Sequence, residues 1–411
     1  MKKLLFAIAL VAAGVAFADA DLLEREPGIK IGERLTLRPY VCFSYTFDSN
    51  PDSMRDSGGE EASYWTVNPG FDFDFVGENW KIFGSAYYQY HAFSSGRESS
   101  LNNSSYGEQL GFQWSNIENG GAGWALQISE RFQVINQNDD VSHSDGRGLW
   151  RDRQQFDANA VFQRRFNEHW HAAANASYYW LDYANDESQY AHLYGWDRWV
   201  GGLQFGYTAS KWTDLFIAAN YQGYTQDTYG GQSSSLSRES FGWTVHLGVG
   251  SYLTDRISYR VSGGFSQFEY GDESTANGFT YQGDLNWKFG ETWSTTLLLA
   301  SYYQPSEREY GSAIRCDSVS WGLAKSLVKG KLNATLDAAY RRDTHVYNTG
   351  SGSDWDLNII TARLALNYRI NRIFTVFARG EFQNELNGGG GVGRHYDYER
   401  WRATVGVKFT Y

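Results

Sequence analysis

Residues 400–411 read Arg400-Trp401-Arg402-Ala403-Thr404-Val405-Gly406-Val407-Lys408-Phe409-Thr410-Tyr411, and two sets of side chains alternate through them. Trp401, Ala403, Val405, Val407, Phe409 and Tyr411 share one side; Arg400, Arg402, Thr404, Gly406, Lys408 and Thr410 share the other. Successive side chains of an extended strand point to opposite faces, so this stretch has one apolar face and one polar or small face. The pattern returns at 34–47, where Leu35, Leu37, Pro39, Val41, Phe43, Tyr45 and Phe47 oppose Arg34, Thr36, Arg38, Tyr40, Cys42, Ser44 and Thr46. It recurs at 241–250 and 256–265.

One unit fills the chain: a strand-like stretch, a short turn, a second strand and a long polar loop. Short connections include 77–79, 119–121, 167–169, 210–211, 254–255, 290–292, 329–330 and 371–372; long ones include 94–105, 139–152, 185–195, 230–239, 348–354 and 388–397. Regular alternation of short and long connections is the arrangement of a transmembrane antiparallel β-barrel, with short periplasmic turns and longer extracellular loops. The pattern predicts an all-β barrel of about 18 strands, with 16 as the alternative. Composition agrees: aromatics make up 17% of the chain, with 44 Gly and only 5 Pro. Beyond Phe17 no apolar run approaches the roughly 20 residues a membrane helix needs. The formal charge of −11 bears on solubility and loop surface, not on fold. Cys42 and Cys316 fall on strands not expected to be neighbours, so a disulfide is not expected and both read as small polar-face residues.

The first residues carry a second signal. Lys2 and Lys3 precede an apolar run from Leu4 to Phe17, and Ala18-Asp19-Ala20 reads as a cleavage site, with Ala16-Phe17-Ala18 as the alternative. Residues 1–20 are expected to be a secretory signal peptide. Residues 21–33 are then a short, mobile periplasmic lead-in, and 34–411 a single barrel domain.

Alternation alone also fits a soluble sandwich or propeller. Two features favour a membrane barrel. Trp80, Trp124, Trp170, Trp212 and Trp293 each follow a short turn, as a ring of interfacial aromatics would. Phe409-Thr410-Tyr411 resembles the C-terminal signal of bacterial outer-membrane barrels, which implies recognition by the barrel-assembly machinery. Further, Arg38-Pro39-Tyr40 leading to Phe43-Ser44-Tyr45-Thr46-Phe47-Asp48-Ser49-Asn50 resembles the first strand of the beta-barrel porin 2 family, with Phe47 in place of a Tyr. That resemblance implies an outer-membrane barrel of a Gram-negative-type bacterium, often tied to exopolysaccharide loci, with no enzymatic residues to transfer. Outer-membrane lipid and lipopolysaccharide are the expected surroundings, and an oligomer is compatible with them.

A barrel this wide leaves an aqueous lumen unless it is plugged, and no plug-sized segment precedes the first strand. Polar-face positions collect Arg34, Arg38, Arg363, Arg369, Arg379, Arg400, Arg402 and Lys408, with Glu381 as the main acidic exception and Asp72 and Asp74 on the second strand. These residues predict a basic wall meeting an acidic patch, which would bias a channel. The competing reading is mutual ion pairing that stiffens the wall. The expected activity is passive diffusion of small hydrophilic solutes. Alternatives are an exopolysaccharide-handling barrel, with Tyr40, Tyr87, Tyr179 and Tyr252 as stacking surfaces, and a structural barrel with a closed lumen.

Other chemistry is poorly supported. The eight His are scattered, so no enzyme is expected. His169-x-His171 lacks a third ligand and reads as interfacial. Asp48-Ser49-Asn50-Pro51-Asp52 begins like a calcium loop, but Ser53 stands where that loop needs Gly, so it reads as an acidic surface loop. Gly388 to Gly393 lacks the Lys of a phosphate loop. No metal, cofactor or nucleic acid is expected. Glu130 falls on the apolar face between Ile128 and Phe132, for which a bulge or a slipped register is the expected cause. Arg164 also breaks the pattern, near a strand end where it could snorkel.

Overall fold

In hydrocarbon every backbone N–H and C=O must find a partner within the protein, so strands with one apolar face pair sideways until no edge remains. The computed structural model describes residues 28–50, 61–94, 103–117, 121–139, 149–183, 196–210, 212–226, 238–270, 274–305, 313–328, 330–346, 355–387 and 397–411. Residues 1–27, with the expected signal peptide, and most of the long connections lie outside the described residues. The strands are β1 (Ile29–Ile31), β2 (Leu35–Asp48), β3 (Ala62–Val76), β4 (Trp80–Phe93), β5 (Asn103–Ser115), β6 (Gly123–Asp139), β7 (Leu149–Arg165), β8 (Trp170–Tyr183), β9 (Trp196–Ser210) and β10 (Thr213–Gln226). They continue as β11 (Arg238–Thr254), β12 (Ile257–Tyr270), β13 (Ser274–Lys288), β14 (Trp293–Pro305), β15 (Ala313–Leu327), β16 (Leu332–Val346), β17 (Trp355–Arg369), β18 (Phe374–Asn387) and β19 (Tyr398–Thr410).

From β2 onward each strand pairs antiparallel with the next, and β19 pairs with β2 from Arg402↔Asp48 to Thr410↔Tyr40. Among the described residues, eighteen strands therefore close into a barrel. The lead-in is not wholly mobile: β1 turns back through Gly32, at φ 66°, and pairs Ile29 with Leu37 and Ile31 with Leu35. It covers the part of β2 that overhangs β19. Arg34 sits in this turn, exposed, and not on the lumen wall. Tight turns at the same end use Gly290 and Gly330, at φ 78° and 79°, where a side chain would strain the backbone.

Exposure separates the two faces. Leu203 is 69% and Leu247 67% exposed on the outer face, whereas Thr46 and Thr280 on the inner face are 4% and 0% exposed. Large apolar side chains outside and enclosed polar ones inside invert the soluble pattern and suit a wall set in lipid. Aromatics concentrate at two heights. Near the short turns, Trp80 packs on Phe75, Trp124 on Phe162, Trp170 on Phe205 and Trp293 on Phe289. Trp212, in the β9–β10 turn, is exposed at this level. A second belt near the long loops pairs Trp65 with Tyr45, Trp199 with Tyr221, Trp243 with Phe265 and Trp401 with Phe382.

The two pattern breakers both stay outside. The ladder runs Leu110↔Glu130↔Ala158 without a shift, so Glu130 faces outward and is exposed, contrary to the expected bulge or slip. Glu108 lies diagonally beside it on the same face. Nothing in the structure explains these two carboxylates. Arg164 lays its guanidinium 3.8 Å from the Trp124 ring at the short-turn end, which lets its charge reach the interface.

Close strand packing gives a direct test. A Cβ on Gly264 would sit 1.8 Å from the Val245 carbonyl oxygen, whereas one on Gly201 would meet nothing within 4 Å. Gly264→Ala is expected to destabilise the barrel by about 1–3 kcal/mol, as overpacking does, and Gly201→Ala to be neutral. Guanidinium unfolding followed by tryptophan fluorescence in detergent checks both; equal midpoints would overturn the packing argument.

Candidate functional site

The inner wall is built by the alternate residues that avoid lipid. On adjacent β17, β18, β19 and β2 the ladder puts Arg363 beside Glu381, Glu381 beside Arg402, Arg379 beside Thr404, Lys408 beside Cys42 and Arg402 beside Asp48. Directly paired residues share a face, so all of these point inward. The inward charges of these four strands are Arg38, Arg363, Arg369, Arg379, Arg400, Arg402 and Lys408 against Asp48, Glu381 and Glu385. The arc thus carries seven cations against three carboxylates.

Several of the cations are partnered. Glu381 takes Arg402 at 2.5 Å and Arg363 at 3.8 Å. Arg38 reaches Asp74 at 2.8 Å, and Lys81 approaches the same carboxylate from β4 at 2.5 Å. Asp74 is therefore bound into the basic arc and does not stand opposite it; Asp72 lies directly across from Arg38. Arg379 stacks 5.0 Å from the Phe377 ring and Lys408 4.4 Å from Tyr40. Arg369 lies at the short-turn mouth, opposite Thr375. The arc therefore combines ion pairs with an excess of positive charge.

The facing arc is different in kind. The inner sides of β8–β11 present Asn175, Gln204, Asn220 and Gln222 among Gly202, Gly206, Gly242, Gly248 and Gly250. Charge there is sparser: Arg198, His171 set 3.4 Å from Asp214, and Arg260 of β12, whose guanidinium donates to Gln204 at 2.5 Å and lies 4.1 Å from the Phe216 ring. The basic wall faces a sparsely charged amide wall, not an acidic patch. A cavity of about 470 Å³ lies against the basic side, between Thr296, Thr335, Asp337, Arg363, Arg379 and Glu381.

Asp48-Ser49-Asn50 is not a surface loop. Asp48, fully buried, receives the Arg400 guanidinium at 2.6–3.1 Å through both carboxylate oxygens. Ser49 N donates to the Trp401 carbonyl, Trp401 N donates to Ser49 Oγ, and Asn50 Nδ2 donates to the Glu399 carbonyl. Three consecutive residues thus clasp the last strand to the first; Pro51 and Asp52 lie outside the described residues. Phe409 points outward onto Phe374, and Tyr411 N donates to the Pro39 carbonyl. The two histidines diverge: His169 stacks on Tyr207 at the rim, while His171 turns inward to Asp214.

At the long-loop level the inner side of β8–β13 is packed. Leu181, Trp196, Tyr224, Phe268, Ala276, Tyr303 and Ala313 form one buried cluster, with Tyr179 against it. Beside it His246 Nε2 lies 2.8 Å from Thr280 Oγ1, which lies 2.6 Å from Ser266 Oγ. Sequence reasoning missed this packed core, because Leu181, Trp196, Tyr224, Phe268 and Ala276 sit on polar faces where an apolar residue reads as an exception, while Tyr303 and Ala313 join from the outward parity of β14 and β15.

A closed antiparallel wall with an apolar band between two aromatic belts is an outer-membrane β-barrel of the Gram-negative type. No family model and no curated protein matches the chain. Solved structures with a related architecture include the alcaligin outer-membrane receptor FauA from Bordetella pertussis, at 10% identity over 90% of this chain and 76% of that one, with a TM-score of 0.42. The copper transporter OprC has 11% identity over 94% and 82%, TM-score 0.45. A bacterial polysaccharide outer membrane secretin has 8% identity over 91% and 98%, TM-score 0.36. No residue role is carried over from any of them.

The clasp makes a measurable claim. Removing one partner of a buried ion pair leaves an uncompensated charge, typically at 3–5 kcal/mol. Asp48→Ala is expected to destabilise the barrel by about that amount, and the double variant Asp48→Ala/Arg400→Met by less. Unfolding midpoints of the two, compared with wild type, decide it; a double variant as unstable as the single would refute the pairing.

Proposed function

We propose that the barrel is a passive channel for small hydrophilic solutes, biased toward anions. The observation that carries this reading is the asymmetric inner wall: a basic arc on β17–β19 and β2, with seven cations against three carboxylates, facing an amide-lined, sparsely charged arc, with a cavity between Arg363, Arg379 and Glu381. Opposed walls of unequal charge set a field across water, and an anion near the basic side is favoured without being bound tightly. The ion pairs fix the guanidinium positions. Transit needs no bond making, so no catalytic role is assigned to any residue.

The polysaccharide reading has less support. Tyr179, Trp196 and Tyr224 are packed on one another, and Tyr40 lies under Lys408, so these rings are not a free stacking track. Tyr87 remains on the inner wall beside Gly70 and Gly107.

Single-channel recording in a planar bilayer under a salt gradient tests the proposal. Steady openings with anion preference are expected. A unit charge roughly 10 Å from the ion path contributes about 0.4 kcal/mol at the dielectric constant of water. The charge favours an anion and disfavours a cation by that amount each, so Arg379→Gln should lower the anion-to-cation permeability ratio about four-fold. Openings whose selectivity is unchanged by Arg379→Gln would remove the charge argument, and a folded barrel without conductance would remove the channel.

A further inference from the structure

One seam of the wall differs from the rest. Among the described residues, the β13–β14 ladder runs from Lys288↔Ser294 only to Gln282↔Ala300, although both strands continue toward the long loops. On either side, β12–β13 is paired to Tyr270↔Ser274 and β14–β15 to Pro305↔Ala313. Continued register would place Tyr281 opposite Ser301 and Phe279 opposite Tyr303. Instead side chains bridge the gap. Arg315 Nη2 donates to the Phe279 carbonyl at 3.3 Å and to Ser301 Oγ at 3.4 Å, and the same guanidinium is held by Asp317 at 3.0 Å. The Tyr281 hydroxyl also bonds Asp317.

The two edges overlap. Gly278 faces the lumen with Ala276 and Thr280, yet a Cβ there would meet Tyr303 Oη at 3.1 Å and Arg315 Nη1 at 3.6 Å. Tyr303 and Arg315 are direct partners on the opposite, outward parity of β14 and β15. The upper part of β14 has therefore slipped to the lumen side of β13, where it also touches β12. This overlap accounts for the enclosure of Phe268 and Thr280 on the inner wall. Directly below it, Leu298 faces the lumen opposite Asp284 and remains 42% exposed, an apolar side chain left in a polar lumen.

We infer that the long-loop half of the β13–β14 seam is a lateral opening between the lumen and the outer leaflet, for a single-chain amphiphile with a polar head group. Among the described residues, backbone ladders hold the two flanking seams up to the long loops; here a guanidinium and two hydroxyls do, and side-chain bonds can exchange for bonds to a head group without breaking a ladder. Arg315, Asp317, Tyr281 and Ser301 supply donors and acceptors for that head group. Leu298, on the lumen side, supplies exposed apolar surface of the kind an acyl chain needs.

The test uses the full chain in phospholipid vesicles containing a trace of lysophosphatidylcholine, with the photoreactive residue p-benzoyl-phenylalanine in place of Leu298. Capture of the lysolipid is expected, rising several-fold with Arg315→Ala and lost when Tyr281→Cys and Ser301→Cys are oxidised to each other. The same probe in place of Asn175, on the facing wall, is expected to capture none. Amides of residues 274–281 should also exchange hydrogen faster than those of 241–248. Equal capture at both positions, no capture in the wild-type and Arg315→Ala backgrounds, or equal amide protection would each overturn the inference. Conductance is read separately, so its loss bears on the channel and not on the seam.

Discussion

Closure of the hydrogen-bond ladder is the constraint on which the rest of this structure depends. A strand exposed to hydrocarbon cannot leave its edge unpaired, because each unsatisfied backbone group costs several kcal/mol there. Pairing β19 to β2 removes the last edge, and unusual chemistry is concentrated at that junction. A buried Asp48–Arg400 pair and the Ser49 and Asn50 backbone contacts lock the strand that closes the barrel to the strand that opened it. At the other end of the same junction, β1 covers the overhang of β2.

Once the wall is closed, the period of two assigns each side chain an environment. Outward residues meet lipid and inward ones meet each other or water, so charge is confined to the lumen except where a carboxylate or guanidinium breaks the pattern. Confinement brings cations from four strands onto one arc. Their ion pairs and ring contacts set how much positive charge is left uncompensated on that arc. The balance between rigidity and field is therefore local: Glu381 neutralises Arg363 and Arg402, while Arg379 faces Ala365 and Thr404 across its own ladder and meets no carboxylate there.

At the β13–β14 seam the same constraint is relaxed. Seven ladder pairs hold the short-turn half, and side chains take over above them. The slipped edge carries an apolar cluster into the lumen, narrowing that side by means of the wall itself. On that side the lumen is shaped by the strands themselves.

The sequence by itself determined the fold class, the strand count to within a hairpin, and which residues share a face, because a period-two pattern has one geometric reading. It placed Arg363, Arg379, Arg400, Arg402 and Lys408 on the inner face, since they sit between apolar neighbours. It did not reveal the second aromatic belt, because the long loops vary in length and give no fixed offset from which to count. Only the tertiary structure decided which charges meet: Asp74 joined the basic arc through Arg38 and Lys81, and Asp48 left its apparent loop to hold Arg400. Glu130 kept its register and faced outward. The seam was equally invisible, because residues 274–305 alternate like any other hairpin. Pairing across strands depends on register, twist and closure, and these belong to the whole barrel and not to any one strand.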